Sequence, residues 1–403
     1  MQITQVRPRA PRLTDVLDFT ALAGGNYLEG QKLKTLVSGF EEGYNEVEDI
    51  ITETRDGFPL NGMWREFQRV IQIWNSQRDA LTNLLTFNVT TPIEGVRYPI
   101  EEDFQEATEY GEPTGIRLGP SFRHGYNFKW YDLAIRYTWQ FLADATQAQL
   151  VALNNTAMEA DNRLMFSRIM RQVFTNVTAV ADIDGDNVNV YPFYNGDSQV
   201  PPKWKTTTFT SGHDHYMVSG AATVASEDVD DLIANVTEHG YSQFRGYRLI
   251  LLVNEQEGDV IRTFTTAGGD KFTFIPSSNT GGGVYLPQNG GIIGAPTMVE
   301  FPGLMTIGSY GPAVVVQEEY IPAGYMMAMA SGGEDNIGNP VGIRQHENPA
   351  LRGLRLVKGR TPDYPLIDSF YLHGMGTGIR HRGAGAIMQI KAAGSYEIPA
   401  AYQ

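Results

Sequence analysis

Apolar positions recur along the chain in two periods, and the change from one to the other marks its organisation. Trp64, Phe67, Ile71 and Trp74 fall three and four apart and Leu81, Leu84 and Leu85 continue the stripe, so the spacing predicts a helix over residues 62–86. From Phe122 the period shortens to two. Phe122, His124, Tyr126, Phe128 and Trp130 share one face; after a phase shift at Asp132 the alternation resumes through Leu133, Ile135, Tyr137, Trp139 and Phe141. This predicts one strand of about 20 residues, kinked or bulged near Asp132, where five or six are usual. Part of so long a strand should project beyond the globular body. The helical period then returns. Asp144 and Gln147 have the spacing of a capping box, and Leu150, Leu153, Ala157, Ala160 and Leu164 form a stripe that drifts to Ile169 and Val173. At 1.5 Å per residue, these roughly 30 residues make a rod of about 45 Å.

The flanks are less regular. Pro8 and Pro11 among Arg7, Arg9 and Arg12 predict an extended N-terminal arm. Asp182 to Tyr216, rich in Gly, Asp, Pro and Thr, reads as loop or short hairpins. A helix capped by Ser226, with Glu227, Asp228, Asp230 and Asp231 in or near its first turn and Gly240 suited to its end, is expected next; the run Leu249–Val253 is a buried strand, and a short helix is expected around Gly258–Phe264. Ser277–Gly291 and Gly332–Pro340 read as loops around strands at Ala313–Val316 and Tyr325–Ala330. The last strands are expected at Leu354–Lys358, Ser369–Leu372 and Ala386–Lys391, with Gly374, Gly376 and Gly378 as tight corners. Gly at 43 residues and aromatics at 11% suggest many turns and large packing anchors, a composition leaning towards a β-rich or α+β architecture.

Composition narrows the function. Lys plus Arg number 31 against 46 for Asp plus Glu, a net charge of -15. That disfavours sequence-independent nucleic-acid binding, which works by Lys and Arg displacing counterions. No apolar run approaches the ~18 residues of a spanning helix, and no secretory leader is evident, so a soluble chain without a membrane partner is expected. With Cys at 0, thiolate nucleophiles, thiolate metal sites and disulfides are excluded.

No catalytic, cofactor or metal site emerges from the motifs. Asp182-Ile183-Asp184-Gly185-Asp186-Asn187 resembles a calcium loop but has Gly at the fourth position and Phe193 where the bidentate acid belongs, which favours an ordinary turn. Gly374-Met375-Gly376-Thr377-Gly378-Ile379 lacks the third glycine and following helix of a dinucleotide fingerprint. His213-Asp214-His215 would turn two imidazoles to one face of a strand, yet two ligands do not close a site. The other histidines, at 124, 239, 346, 373 and 381, have no metal-motif spacing, so solvated or hydrogen-bonded histidines are expected.

The charge pattern is more telling. Glu101, Glu102, Asp103, Glu106, Glu109 and Glu112 lie on the projecting segment between Arg97 and Arg117. An isolated two-stranded hairpin is marginal in water, so a neighbouring copy is the expected surface for it. Arg352, Arg355, Arg360, Arg380 and Arg382 form the densest basic stretch and could receive those acids; Glu101, Glu102 and Asp103 are expected to dock on Arg380 and Arg382. Exposed pairs contribute about 0–1 kcal/mol each, so charge would set register and apolar burial would supply affinity.

Val190-Tyr191-Pro192-Phe193-Tyr194-Asn195-Gly196-Asp197, Val200-Pro201-Pro202, Lys358-Gly359-Arg360-Thr361-Pro362-Asp363-Tyr364-Pro365 and Gly376-Thr377-Gly378-Ile379-Arg380 resemble stretches in capsid proteins of phages of actinobacteria. The order of elements likewise resembles the major capsid proteins of tailed double-stranded DNA bacteriophages, the Hong Kong 97 type fold. The resemblance implies N-terminal arm and helices over 1–88, an extended β-hairpin loop over 89–142, a peripheral domain with its spine helix over 143–216, an axial domain over 217–340, and return strands of the peripheral domain over 341–403. It implies self-assembly into hexamers and pentamers of an icosahedral shell around packaged DNA held without sequence-specific binding, in the virion, after assembly in the host bacterial cytoplasm.

A portal and a possible decoration protein are implied partners. Residues 1–88 look too short and mixed for a cleaved helical scaffold, so a separate scaffolding protein is expected. Some relatives cross-link through a Lys in the extended loop, whereas this chain has no Lys between Lys34 and Lys129, so a non-covalent shell is expected. The alternatives are an encapsulin-like nanocompartment shell and a ligand-binding β-rich protein.

Overall fold

The computed structural model describes residues 52–76, 80–97, 106, 109, 111, 121–183, 185–277, 304–358 and 366–403 of the chain. Its first elements are α1 (Leu60–Ser76), α2 (Ala80–Leu85), β1 (Thr86–Val89), β2 (Ile93–Arg97), β3 (Ser121–Gly125), β4 (Lys129–Thr138), α3 (Trp139–Asp144) and α4 (Gln147–Phe174). There follow β5 (Ala179–Ile183), β6 (Asp186–Val190), β7 (Tyr216–Val218), α5 (Ser226–Thr237), β8 (Arg248–Val253), α6 (Glu255–Ile261), β9 (Ile275–Pro276), β10 (Met305–Tyr310) and β11 (Ala313–Gln317). The chain closes with β12 (Tyr325–Ser331), β13 (Val341–Arg344), β14 (Leu354–Lys358), β15 (Leu366–Ile379) and β16 (Gly385–Gln389). The chain divides into two compact units.

One unit comprises residues 1–78, 129–165 and 346–374. The stripe Leu60, Met63, Phe67 on α1 packs on Tyr137, Leu142 and Leu150, and one turn on, Val70 and Ile71 meet Ala157, Met158, Leu354 and Tyr371. The helical period of the sequence is thus the buried face. Where the helix packs, polar groups are paired: Asp161 accepts from Trp74 Nε1 at 3.3 Å and lies 2.5 Å from His373 Nδ1, and Tyr371 donates to Asn154 at 2.6 Å. The long helix is present at 28 residues, but its cap lies later than Asp144. Ala145 is extended and ends α3, so the helix start falls at Thr146, whose N–H donates to Gln149 Oε1 at 3.0 Å, while Asp56 accepts from the N–H of Gln147 at 3.1 Å.

The other unit comprises residues 79–128, 166–345 and 375–403. It is built on a seven-stranded mixed sheet in the order β7-β16-β12-β8-β11-β10-β9. The apolar run of β8 pairs in parallel with β11 and antiparallel with β12, which buries it on both sides. Val229, Leu232 and Val236 of α5 cover one face of this sheet against Leu251, Val315, Met326 and Ala386. A second set pairs β1 in parallel with β13 and β13 antiparallel with the end of β15. Buried Asn339 joins its loops, donating to the carbonyls of Thr86 (2.8 Å) and Gly333 (2.9 Å) while its oxygen accepts from Gly332 N (2.9 Å).

Three expectations change. The long alternation is two strands, β3 and β4, broken at 126–128 and not at Asp132, and its last part, Trp139–Phe141, is helical. The break has tertiary causes: Tyr126 N donates to the Pro92 carbonyl, Arg344 Nη1 donates to Tyr126 O at 3.2 Å, and buried Tyr126 lies over Gly342 and Gly378. Second, Gly374, Gly376 and Gly378 are not corners but lie inside the 14-residue strand β15. A Cβ on Gly376 would fall 1.3 Å from Asn127 O, so close backbone approach explains the glycine. Third, α6 lies earlier than expected because Asn254 caps it, accepting from Gln256 N at 3.2 Å. The strands β1, β7, β9, β10 and β13 were not foreseen. Most of the expected loop from Ser277 to Gly291 and the N-terminal arm lie outside the described residues.

Candidate functional site

The two strands at the base of the acidic segment pair antiparallel, Ile93 opposite Gly125 through Arg97 opposite Ser121. Ile93 packs on Ala181, Ile183, Val188 and Val190 of the β5–β6 hairpin, and Arg123 Nη2 reaches Asp186 at 2.9 Å. The base of this ribbon is therefore supported by its own chain. Glu106 and Glu109 are exposed. Glu101, Glu102, Asp103 and Glu112 lie outside the described residues.

The expected basic partners behave differently from each other. Arg380 pairs with Glu94 of β2 at 2.8 Å, with about a quarter of each side chain exposed, and Glu94 also accepts from Tyr126 OH at 3.0 Å. Burial, reinforced by Glu94, raises the Tyr126 hydroxyl well above its ordinary range. Arg382 corrects the expectation. It is 2% exposed. Its Nη2 pairs with Asp197 at 2.8 Å, its Nε donates to Pro192 O at 2.8 Å, and it lies over the rings of Tyr191 and Tyr194. Such a guanidinium organises the 192–197 loop and cannot meet a neighbour's acids. Nearby His124 is pushed down to about 3, by burial first and then by Arg382 and Arg380.

Histidine reasoning from spacing missed one convergence. His213 and His215 precede β7, and His239 follows the end of α5. Their three Nε2 atoms form a triangle with edges of 3.1 Å (213–215), 2.8 Å (213–239) and 3.0 Å (215–239). Twenty-four residues separate His215 from His239, and only the docking of α5 on the sheet closes that gap. The sole sequence signal was the His213-Asp214-His215 pair.

Among the described residues, no helix is long and apolar enough to cross a membrane. No family model matches the chain, and no curated protein matches it. A solved structure from Mycobacterium phage Patience is 42% identical, with a TM-score of 0.66, covering 88% of this chain and 94% of that one. Two more distant ones are the capsid of a native GTA particle (14% identical, TM-score 0.44, 78% of this chain and 90% of that one) and the SrpI encapsulin complex of Synechococcus elongatus (10%, 0.43, 79% and 89%).

Proposed function

The chain belongs to the major capsid proteins of tailed double-stranded DNA bacteriophages with the Hong Kong 97 type fold, and on that premise we propose how its segments serve the shell. It is a structural protein and not an enzyme: its copies assemble into the hexamers and pentamers of an icosahedral shell, and it resides in the virion capsid. The 42% identity over most of both chains carries this conclusion, and the encapsulin alternative has only a 10% likeness behind it.

Residues 89–142 serve as the extended loop that overlaps a neighbouring subunit, 143–216 as the peripheral domain around the spine helix, 217–340 as the axial domain, and 341–403 as return strands, after arm and helices in 1–88. Trp130 and Leu133 of β4 are 46% and 43% exposed, one on each face of the strand. The acids at 101–112 set the register of that overlap, with Arg380 of a neighbour as the cationic donor. Packaged DNA fills the interior without sequence-specific binding, consistent with the net charge of -15, which lets a polyanion slide along the wall. Assembly in the host bacterial cytoplasm uses a separate scaffolding protein and a portal, with a decoration protein as a possible addition. Without Lys between Lys34 and Lys129, shell closure is non-covalent, and on denaturing gels of particles this chain should run as a 44.7 kDa monomer; a ladder of covalent oligomers would refute it. Replacing Glu101, Glu102 and Asp103 together by Lys should lower particle yield at least tenfold while leaving the subunit folded; unchanged yield removes the register role.

A further inference from the structure

We propose that His213, His215 and His239 bind one divalent transition-metal cation of the zinc class, which staples the end of α5 to the β7 edge of the seven-stranded sheet.

The three Nε2 atoms converge with edges of 2.8–3.1 Å. Imidazole–zinc bonds of about 2.0–2.1 Å in a tetrahedral arrangement place such nitrogens about 3.3 Å apart, so a few tenths of an ångström of ring rotation opens the triangle to fit. His215 is fully buried, and its Nδ1 lies 2.7 Å from the carbonyl oxygen of Gly385. A carbonyl only accepts, so Nδ1 carries the proton and donates. The lone pair of neutral His215 is thereby placed on Nε2, facing the other two rings. A backbone carbonyl behind a ligating imidazole is the usual way that tautomer and ring angle are fixed at metal sites.

Around this point the fold makes room and rigidity. Phe209 stacks on His239 with centroids 4.2 Å apart, and a Cβ at Gly383 would fall 2.8 Å from the His239 ring. Without a cation, three convergent nitrogens can share protons only pairwise; one cation satisfies them together. Three neutral nitrogens suit a borderline cation such as zinc better than calcium or magnesium, which take oxygen ligands. Glu238, beside His239, has Oε1 3.6 Å from His213 Nε2 and is the nearest candidate for the fourth position.

The test uses untagged full-length protein, stripped with chelator and titrated with Zn2+ or Co2+. One equivalent per chain, visible Co2+ bands of four-coordinate intensity, and a raised melting temperature are expected. His239→Ala should abolish all three. Because that ring is packed, His213→Gln, at a partly exposed loop position, is the second variant; it should weaken Zn2+ affinity at least 100-fold while its metal-free melting temperature stays near that of stripped wild type. Wild-type protein with neither Co2+ bands nor a thermal shift at excess metal overturns the proposal, as does binding of equal strength in both variants. Either result leaves shell assembly untouched, since particle formation is read separately.

Discussion

Arg382→Met removes a guanidinium that is 2% exposed and keeps roughly its hydrophobic volume. The change strands the Asp197 carboxylate, previously 2.8 Å from Nη2, and takes a donor from the carbonyls of Pro192 (2.8 Å) and Phe193 (3.3 Å). Breaking a buried pair by deleting one partner costs about 3–5 kcal/mol. Because the Asp197 side chain is 17% exposed it can partly rehydrate, which places the expected loss near ~3 kcal/mol. That is a large part of the roughly 5–15 kcal/mol by which domains are stable. Urea unfolding of the unassembled subunit, followed by tryptophan fluorescence, should show the loss directly. Asp197→Asn should also destabilise, and the double variant should lose less than the sum of the two, since the groups act on one another. A variant with an unchanged urea midpoint that nonetheless fails to form particles would refute this reasoning, because the guanidinium would then act between subunits.

Two further outcomes are expected. Gly376→Ala sets a Cβ 1.3 Å from the Asn127 carbonyl oxygen, so it should cost more than about 4 kcal/mol and leave the protein insoluble; soluble protein with wild-type melting would contradict the close approach. His124, held neutral in the folded chain down to about 3, takes a proton near 6.5 once unfolded; its contribution is whole above pH 6.5 and is lost as pH falls through that window. Between pH 7 and 5 this amounts to roughly 2 kcal/mol. His124→Gln should flatten that part of the stability profile, and an unchanged slope would show that the ring is already charged in the fold.

Local periodicity made the long helices and the strands β8, β11, β12 and β16 of the central sheet legible. The stripe on α1, the 28-residue α4 and the doubly buried run of β8 each declare themselves within a few residues. Contacts distant in sequence decide what was misplaced. The chain bends at Tyr126 because Pro92, Arg344 and the glycines of β13 and β15 receive it there, and nothing in the alternation of Phe122 to Phe128 announces those partners. Arg382 looked like a surface charge because its carboxylate, Asp197, lies 185 positions away. The histidine cluster needed the packing of α5 before its third member came into place. Short strands such as β13, with Val341 and Ile343 buried around Gly342, carry too few residues for a period to show.

Electron microscopy of particles purified from infected host cells tests the central claim most directly. Closed icosahedral shells, with hexamers and pentamers of this chain whose long β-ribbons lie across neighbouring subunits, are the expected result. Shells built of another protein, or shells in which residues 89–142 fold entirely onto their own subunit, would contradict it.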